Sequence, residues 1–196
     1  MSAHAQSSLT PEQYLEIERA AEFKSEYYAG RMYAMSGASY PHGLIIGRLT
    51  SKLDAALEHG PCAVIPNDLR VRVLPRGLYT YPDIVVICGE PKFAHDQKDT
   101  LVNPTFVVEV LSPSTEAYDR GFKSSQYRKI ESLQEYALVS QTEARLEVFR
   151  RQAGGGWLLS EFAGLDAVSR FDSLGCEIRL ADIYAKVTLT GDEPIR

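Results

Sequence analysis

Two short runs, DIVVI (Asp83–Ile87) and FVVEVL (Phe106–Leu111), constrain this chain most. A strand with one wet face alternates apolar and polar residues; these runs are apolar on both faces. Both are therefore expected to be central strands covered on each side. The second run carries a contradiction, because Glu109 sits where every neighbour calls for a dry interior. An unpaired buried carboxylate costs several kcal/mol, roughly. Glu109 therefore needs a permanent partner or a ligand.

The rest of the chain supplies the cover. Thr10-Pro11-Glu12-Gln13 forms a capping-box helix start, and the helix runs to about Ala21. FKSEYYAG reads as irregular chain or a last helical turn, and Arg31–Ser36 as a strand. Ile45, Ile46, Leu49, Leu53, Ala56 and Leu57 recur at helical spacing, which predicts a helix from His42 to Glu58, ended by Gly60-Pro61. CAVIP and LRVRVL read as strands before DIVVI, GEPKFAHDQKD as a polar loop, and SPST as a turn after FVVEVL. A helix is expected over Asp119 to about Ile130, then strands YALVS and ARLEVFRR, a Gly154–Gly156 hairpin turn and strand WLLSEF. The C-terminal part reads as a strand or two with a helical turn near Leu180–Tyr184. This order predicts an α/β (α+β) fold with a mixed central β-sheet flanked by helices. With 196 residues, 44% of them apolar, it is expected to form one domain over 1–196, with 1–8 a flexible N-terminus.

A net charge of −5 argues against a general polyanion binder and leaves room for a site built on acidic metal ligands. Cys62, Cys88 and Cys176 form no CxxC pair and no evident disulfide framework; they read as small buried hydrophobes in a reducing cytoplasm. The N-terminus has no signal-peptide pattern, and no apolar run reaches the roughly 18 residues of a membrane span. The expected location is the cytoplasm.

If the strands of Asp83 and Glu109 are neighbours, the two carboxylates meet at one point of the sheet. Two such groups repel and do not both ionise without a cation. Oxygen donors in a partly open site favour Mg²⁺ or Mn²⁺. Lys123, in the stretch Asp119-Arg120-Gly121-Phe122-Lys123, follows Glu109 closely enough to fold back over the strand end. An ammonium there could orient a water or balance charge on a phosphate. On the strand itself, Leu111 is apolar.

Pro82-Asp83, then Glu109-Val110-Leu111, then a lysine displaced to the following helix resembles the PD-(D/E)XK nuclease superfamily. PDIVVI, FVVEVLSPST, DRGFK with Tyr127, EYALV, and EYYAGRMYAMSGAS with His42 narrow the resemblance to the Uma-type putative restriction endonuclease family, over roughly Leu9–Ile183. The resemblance implies a restriction-endonuclease-like fold and metal-dependent hydrolysis of nucleic acid, DNA in first place. It implies Asp83 and Glu109 as metal ligands, the Val110 carbonyl as an extra ligand, and Lys123 in place of the superfamily's strand lysine. Glu26 would correspond to an acidic residue of the first helix, although the local SEYYAGR departs from the usual acidic-plus-glycine form. His42, Arg120 and Tyr127 are accessory candidates.

Plainer roles stand beside these. Asp83 could end a strand, Glu109 could pair with Arg70, Arg72 or Arg128, and Lys123 could be solvated. His42 could cap its helix, Arg120 and Arg128 could line a phosphate path or solvate a helix face, and Tyr127 suits packing. Ser112 and Ser114 suit a turn, and no His pair suggests zinc. A catalytically inactive nucleic-acid-binding or oligomeric scaffold of the same fold is the rival reading. A two-carboxylate glycosidase ranks lower, because few aromatic platforms are expected near the site. The ARLEVFRR–GGG–WLLSEF hairpin is a candidate homodimer interface.

Overall fold

The computed structural model describes residues 8–35 and 37–190. The expected flexible N-terminus, but for Ser8, and Ser36 of the MSG turn lie outside them. Helix α1 (Pro11–Ala20) opens with the expected capping box: Thr10 Oγ1 accepts from the Gln13 amide, and Gln13 Oε1 accepts from the Thr10 amide. Helix α2 (Tyr40–Leu57) is capped by Ser39 and buries Ile45, Ile46, Leu49, Leu53 and Leu57 on one face.

The central sheet has the order β11-β10-β9-β8-β6-β3, from β3 (Cys62–Pro66), β6 (Ile84–Cys88), β8 (Phe106–Leu111), β9 (Glu135–Ser140), β10 (Arg145–Arg151) and β11 (Trp157–Ala163). β8 and β9 are parallel and the other neighbours antiparallel, so the sheet is mixed. A second sheet has the order β2-β1-β5-β4-β7, from β1 (Ser25–Tyr28), β2 (Arg31–Ala34), β4 (Arg70–Arg72), β5 (Tyr79–Thr80) and β7 (Thr100–Leu101). β12 (Val168–Phe171) and β13 (Cys176–Arg179) form a hairpin before the short helix Leu180–Ile183.

All six residues of β8 are buried, as two-sided apolar patterning requires. Phe106, Val108 and Val110 join Ile84 and Val86 in the core under α2 and the C-terminal hairpin. Val107 and Leu111 point the other way, with Val85 and Ile87, into a core closed by Tyr127, Ile130 and Leu133. Burying one such aliphatic side chain contributes roughly 1.5–3 kcal/mol. The C-terminal hairpin is fastened by Glu135, fully buried, which accepts from the Ser173 amide and hydroxyl and pairs with Arg150 at 2.7 Å.

The structure corrects the sequence reading at four places. FKSEYYAG contains β1, whose register with β2 pairs Glu26 with Tyr33. LRVRVL pairs over Arg70–Arg72 only, between β5 and β7 in the second sheet. The expected helix from Asp119 starts earlier, at Glu116–Tyr118, passes through a π-helical turn at Asp119–Lys123 and ends at Ser124–Tyr127. Cys62 and Cys88, expected as reduced hydrophobes, form a disulfide, because the β3–β6 register sets them directly opposite one another. Their separation of 26 residues carries no spacing motif. Cys176 is free and half-buried, and burial pushes its thiol up to about 11.

Candidate active site

β6 and β8 pair over three positions, Ile84–Val108, Val85–Val107 and Val86–Phe106, whereas β8 and β9 pair over six. The sheet therefore splits at Asp83. The Val110 amide, which has no β6 carbonyl to meet, donates to Asp83 Oδ2 at 2.7 Å. Period-two alternation puts Asp83 with Val85, and Glu109 with Val107 and Leu111, on the same face of the sheet. Both carboxylates line one cleft of about 1130 Å³.

Glu109 is 3% exposed, and its partner is neither Arg70, Arg72 nor Arg128 but Lys123. Lys123 Nζ donates to Glu109 Oε1 at 3.1 Å, and Tyr127 donates its hydroxyl to the same oxygen. The ammonium also lies 3.1 Å from Glu26 Oε1 and 3.4 Å from Asp119 Oδ1. Glu26, buried on β1, accepts from the Thr80 hydroxyl and from the Tyr118 hydroxyl at 2.8 Å. The displaced lysine thus reaches the strand from the helix. Its i, i+4 neighbour Tyr127 shares the same acceptor, a spacing that puts both on one helix face.

One ammonium serves three close carboxylates, with Asp83 beside them. Burial raises the Glu109 pKa; Lys123 opposes this, and the Asp83 and Asp119 charges reinforce it. Asp119 shifts upward for the same first reason, burial, with Lys123 opposing. Burial favours neutral Lys123, but the surrounding anions outweigh it and hold its pKa well above the ordinary value. Fully ionised, the cluster would carry excess negative charge, and the upward shifts of Glu109 and Asp119 relieve it.

His42 lies on α2 with Nε2 3.3 Å from Asp83 Oδ2; Ser39, not His42, caps the helix. Burial favours the neutral ring, and the Asp83 hydrogen bond and charge overcome it, so the pKa is raised. Arg120 pairs with Glu116 at 2.6 Å and with Glu147, and is absent from the cleft lining. Arg128 donates to the Ser124 carbonyl of its own helix. Ser112 bonds Ser114 and Thr115 in the turn after β8.

Sequence reasoning missed Asp119, Thr80 and Tyr118, and expected few aromatic residues nearby. The cleft is in fact walled by Phe23, Tyr28, Tyr33, Tyr118 and Phe122. Tyr118 stacks on Phe122 at 5.4 Å, and Tyr28 meets Phe122 edge-on at 4.7 Å. The i, i+4 spacing of Tyr118 and Phe122 was the available signal; the others come from β1, β2 and the loop before them, where no strand was expected at β1.

Among the described residues, no group of three or more His, Cys, Asp or Glu stands ready to hold a metal. The donor set nevertheless fits Mg²⁺ or Mn²⁺. Asp83 Oδ2 and Glu109 Oε1 are occupied by protein donors, while Asp83 Oδ1 and Glu109 Oε2 receive no hydrogen bond from the described residues. Mg²⁺ commonly uses one or two carboxylates and completes its shell with water and substrate phosphate.

The mixed central sheet with its flanking helices is a restriction-endonuclease-like fold. A crystal structure of a "putative nuclease belonging to DUF820" from Anabaena variabilis shares this fold, with a TM-score of 0.73 and 18% identity over 92% of this chain and 99% of that one. The chain belongs to the Uma2 family, described as "Putative restriction endonuclease", whose pattern matches residues 11–182. Two uncharacterised Synechocystis proteins are similar: slr1290, 37% identical over 94% of this chain and 97% of its own length, and sll1609, 34% identical over 83% and 92%. The family supports a nuclease-like function.

Proposed function

We propose that this protein is a Mg²⁺- or Mn²⁺-dependent endonuclease that hydrolyses phosphodiester bonds of nucleic acid, DNA in first place, in the cytoplasm. The observation that carries the reading is the Lys123 ammonium 3.1 Å from Glu109 Oε1, in a cleft shared with Asp83. Asp83 and Glu109 would hold the cation, with the Val110 carbonyl as a further ligand. A bound cation polarises the scissile phosphate and lowers the pKa of the attacking water.

The chain's own groups do the rest. Asp83 is held by the Val110 amide and faced by His42; Glu109 is held by Tyr127. Glu26, fixed by Thr80 and Tyr118, turns Lys123 toward the cleft, where its charge balances the phosphate as negative charge develops. The water oxygen bonds to phosphorus and releases a proton to solvent, the opposite P–O ester bond breaks, and the leaving oxygen keeps the electron pair and takes up a proton from solvent. In a cleavage assay on DNA and RNA with Mn²⁺, Asp83→Ala and Glu109→Ala are each expected to lose activity at least about 100-fold. Unchanged activity in both variants would end the proposal.

The internal pairing of Lys123 favours one second reading, an inactive nucleic-acid-binding scaffold, and among the described residues no three-ligand group stands against it. Titration calorimetry separates the two: only the enzyme should bind Mn²⁺ in a way that Glu109→Ala removes. Strand β11, at the open edge of the central sheet, is the surface on which a homodimer would form. A gel-filtration mass of one chain would exclude that arrangement.

A further inference from the structure

We propose that the substrate of this cleft is unpaired nucleic acid, held by base stacking more than by phosphate contacts; this rests on the nuclease reading. The first observation is the wall. Phe23 is 78% exposed and Tyr33 47% exposed, yet both line the cleft whose floor holds Asp83 and Glu109. Tyr118 is also partly exposed, and its ring is fixed from both ends, stacked on Phe122 and bonded to Glu26 through its hydroxyl. Rings that are already held lose little freedom when a base stacks on them.

The second observation is the shortage of free positive charge. Lys24 and Lys123 are the lysines of the lining, and no arginine among the described residues joins them. Lys24 pairs with Asp68 and donates to the Asn67 carbonyl at 3.0 Å; Lys123 is engaged by three carboxylates. Duplex binding rests on many neutralised phosphates, and a chain of net charge −5 whose cleft offers, among the described residues, two lysines that each already face a carboxylate is poorly equipped for that. Stacking is sequence-tolerant and needs bases freed from their partners.

The third observation is size. At about 1130 Å³ the cleft is slightly larger than pockets that enclose a small ligand. It suits a few unstacked nucleotides entering the split between β6 and β8, not the face of a double helix.

Fluorescence anisotropy in EDTA, on one short sequence as single-stranded DNA, single-stranded RNA and blunt duplex, tests this without metal or turnover. Single strands are expected to bind roughly 10-fold or more tighter than duplex, with a log–log salt slope near about −0.7, the contribution of one phosphate. Phe23→Ala and Tyr33→Ala are each expected to weaken single-strand binding by roughly 10-fold or more, and Phe23→Tyr to retain it. Duplex binding as tight as single-strand binding, or alanine variants that bind like the parent, would overturn the inference. Cleavage with Mn²⁺ keeps the two readings apart. Asp83-dependent cutting of duplex that ignores both alanine variants would leave the nuclease standing and remove the stacking platform. Ring-dependent binding with no Asp83-dependent cutting would remove the nuclease.

Discussion

Replacing Lys123 with methionine keeps most of the side-chain volume and deletes the charge that the buried carboxylates share. Glu109 and Glu26 each lie 3.1 Å from that charge and Asp119 lies 3.4 Å away. At an effective dielectric constant of about 20, each contact is worth roughly 5 kcal/mol of gross attraction. Desolvation of the ammonium offsets much of this, so the net loss expected is about 3–5 kcal/mol at alkaline pH. The loss must shrink in acid, because carboxylates without a counter-charge take up protons in the folded state. The folded variant then binds more protons than the unfolded chain, and its stability falls by about 1.4 kcal/mol per pH unit for each such proton as pH rises. Urea unfolding followed by circular dichroism at about pH 5 and about pH 8 reads the difference directly. An equal loss at the two pH values, or a loss below about 1 kcal/mol at both, would show that the carboxylates are not dry and coupled as described.

Other outcomes follow from the same geometry. Without a cation, burial raises Glu109 from 4.5 to about 8, so its contribution to parent stability is complete below 4.5 and lost as pH rises through about 8; saturating Mn²⁺ should flatten that fall in a thermal-melt series. Tyr127→Phe removes a buried donor from Glu109 and is expected to cost about 1–3 kcal/mol in urea, whereas an unchanged midpoint would mean the hydroxyl is solvated. Glu135→Ala leaves the Ser173 amide and hydroxyl without their acceptor and Arg150 with Asp172 alone, and should destabilise by roughly 1–3 kcal/mol; a loss within experimental error would mean that the C-terminal hairpin does not depend on it. Reducing the Cys62–Cys88 bridge, which closes 26 residues of sequence, should cost roughly 3.5 kcal/mol, and a urea midpoint insensitive to dithiothreitol would show that the bridge adds nothing.

The central strands were legible because burial on two faces leaves a continuous apolar run, and DIVVI and FVVEVL have no other good reading. The anomaly of Glu109 pointed to a partner, and Lys123 is that partner. The second sheet was legible only in part: Arg31–Ser36 and LRVRVL read as the strands that became β2 and β4. Its strands are two to four residues long, too short for an alternation to register, so β1 with Glu26 read as irregular chain. Asp119 looked like an ordinary helix-opening acid, and nothing local reveals that a π-helical turn buries it against Lys123. The disulfide was hidden for a related reason: it depends on strand register, which three isolated cysteines do not encode.

The π-helical turn also makes the site a matter of counting. Five residues, Asp119–Lys123, close a loop of the helix that ordinarily takes fewer. Removing one of them, Gly121 for instance, would restore regular winding and rotate one flank of the arm against the other by about 100°. The aromatic Tyr118 on one flank and the Lys123–Tyr127 pair on the other could then no longer address the same cleft. A one-residue deletion that folds but does not cut, beside a Gly121→Ala variant that does both, would show that length, more than residue identity, is what this segment of the gene must preserve. Comparisons within the family would then be read for gaps before substitutions.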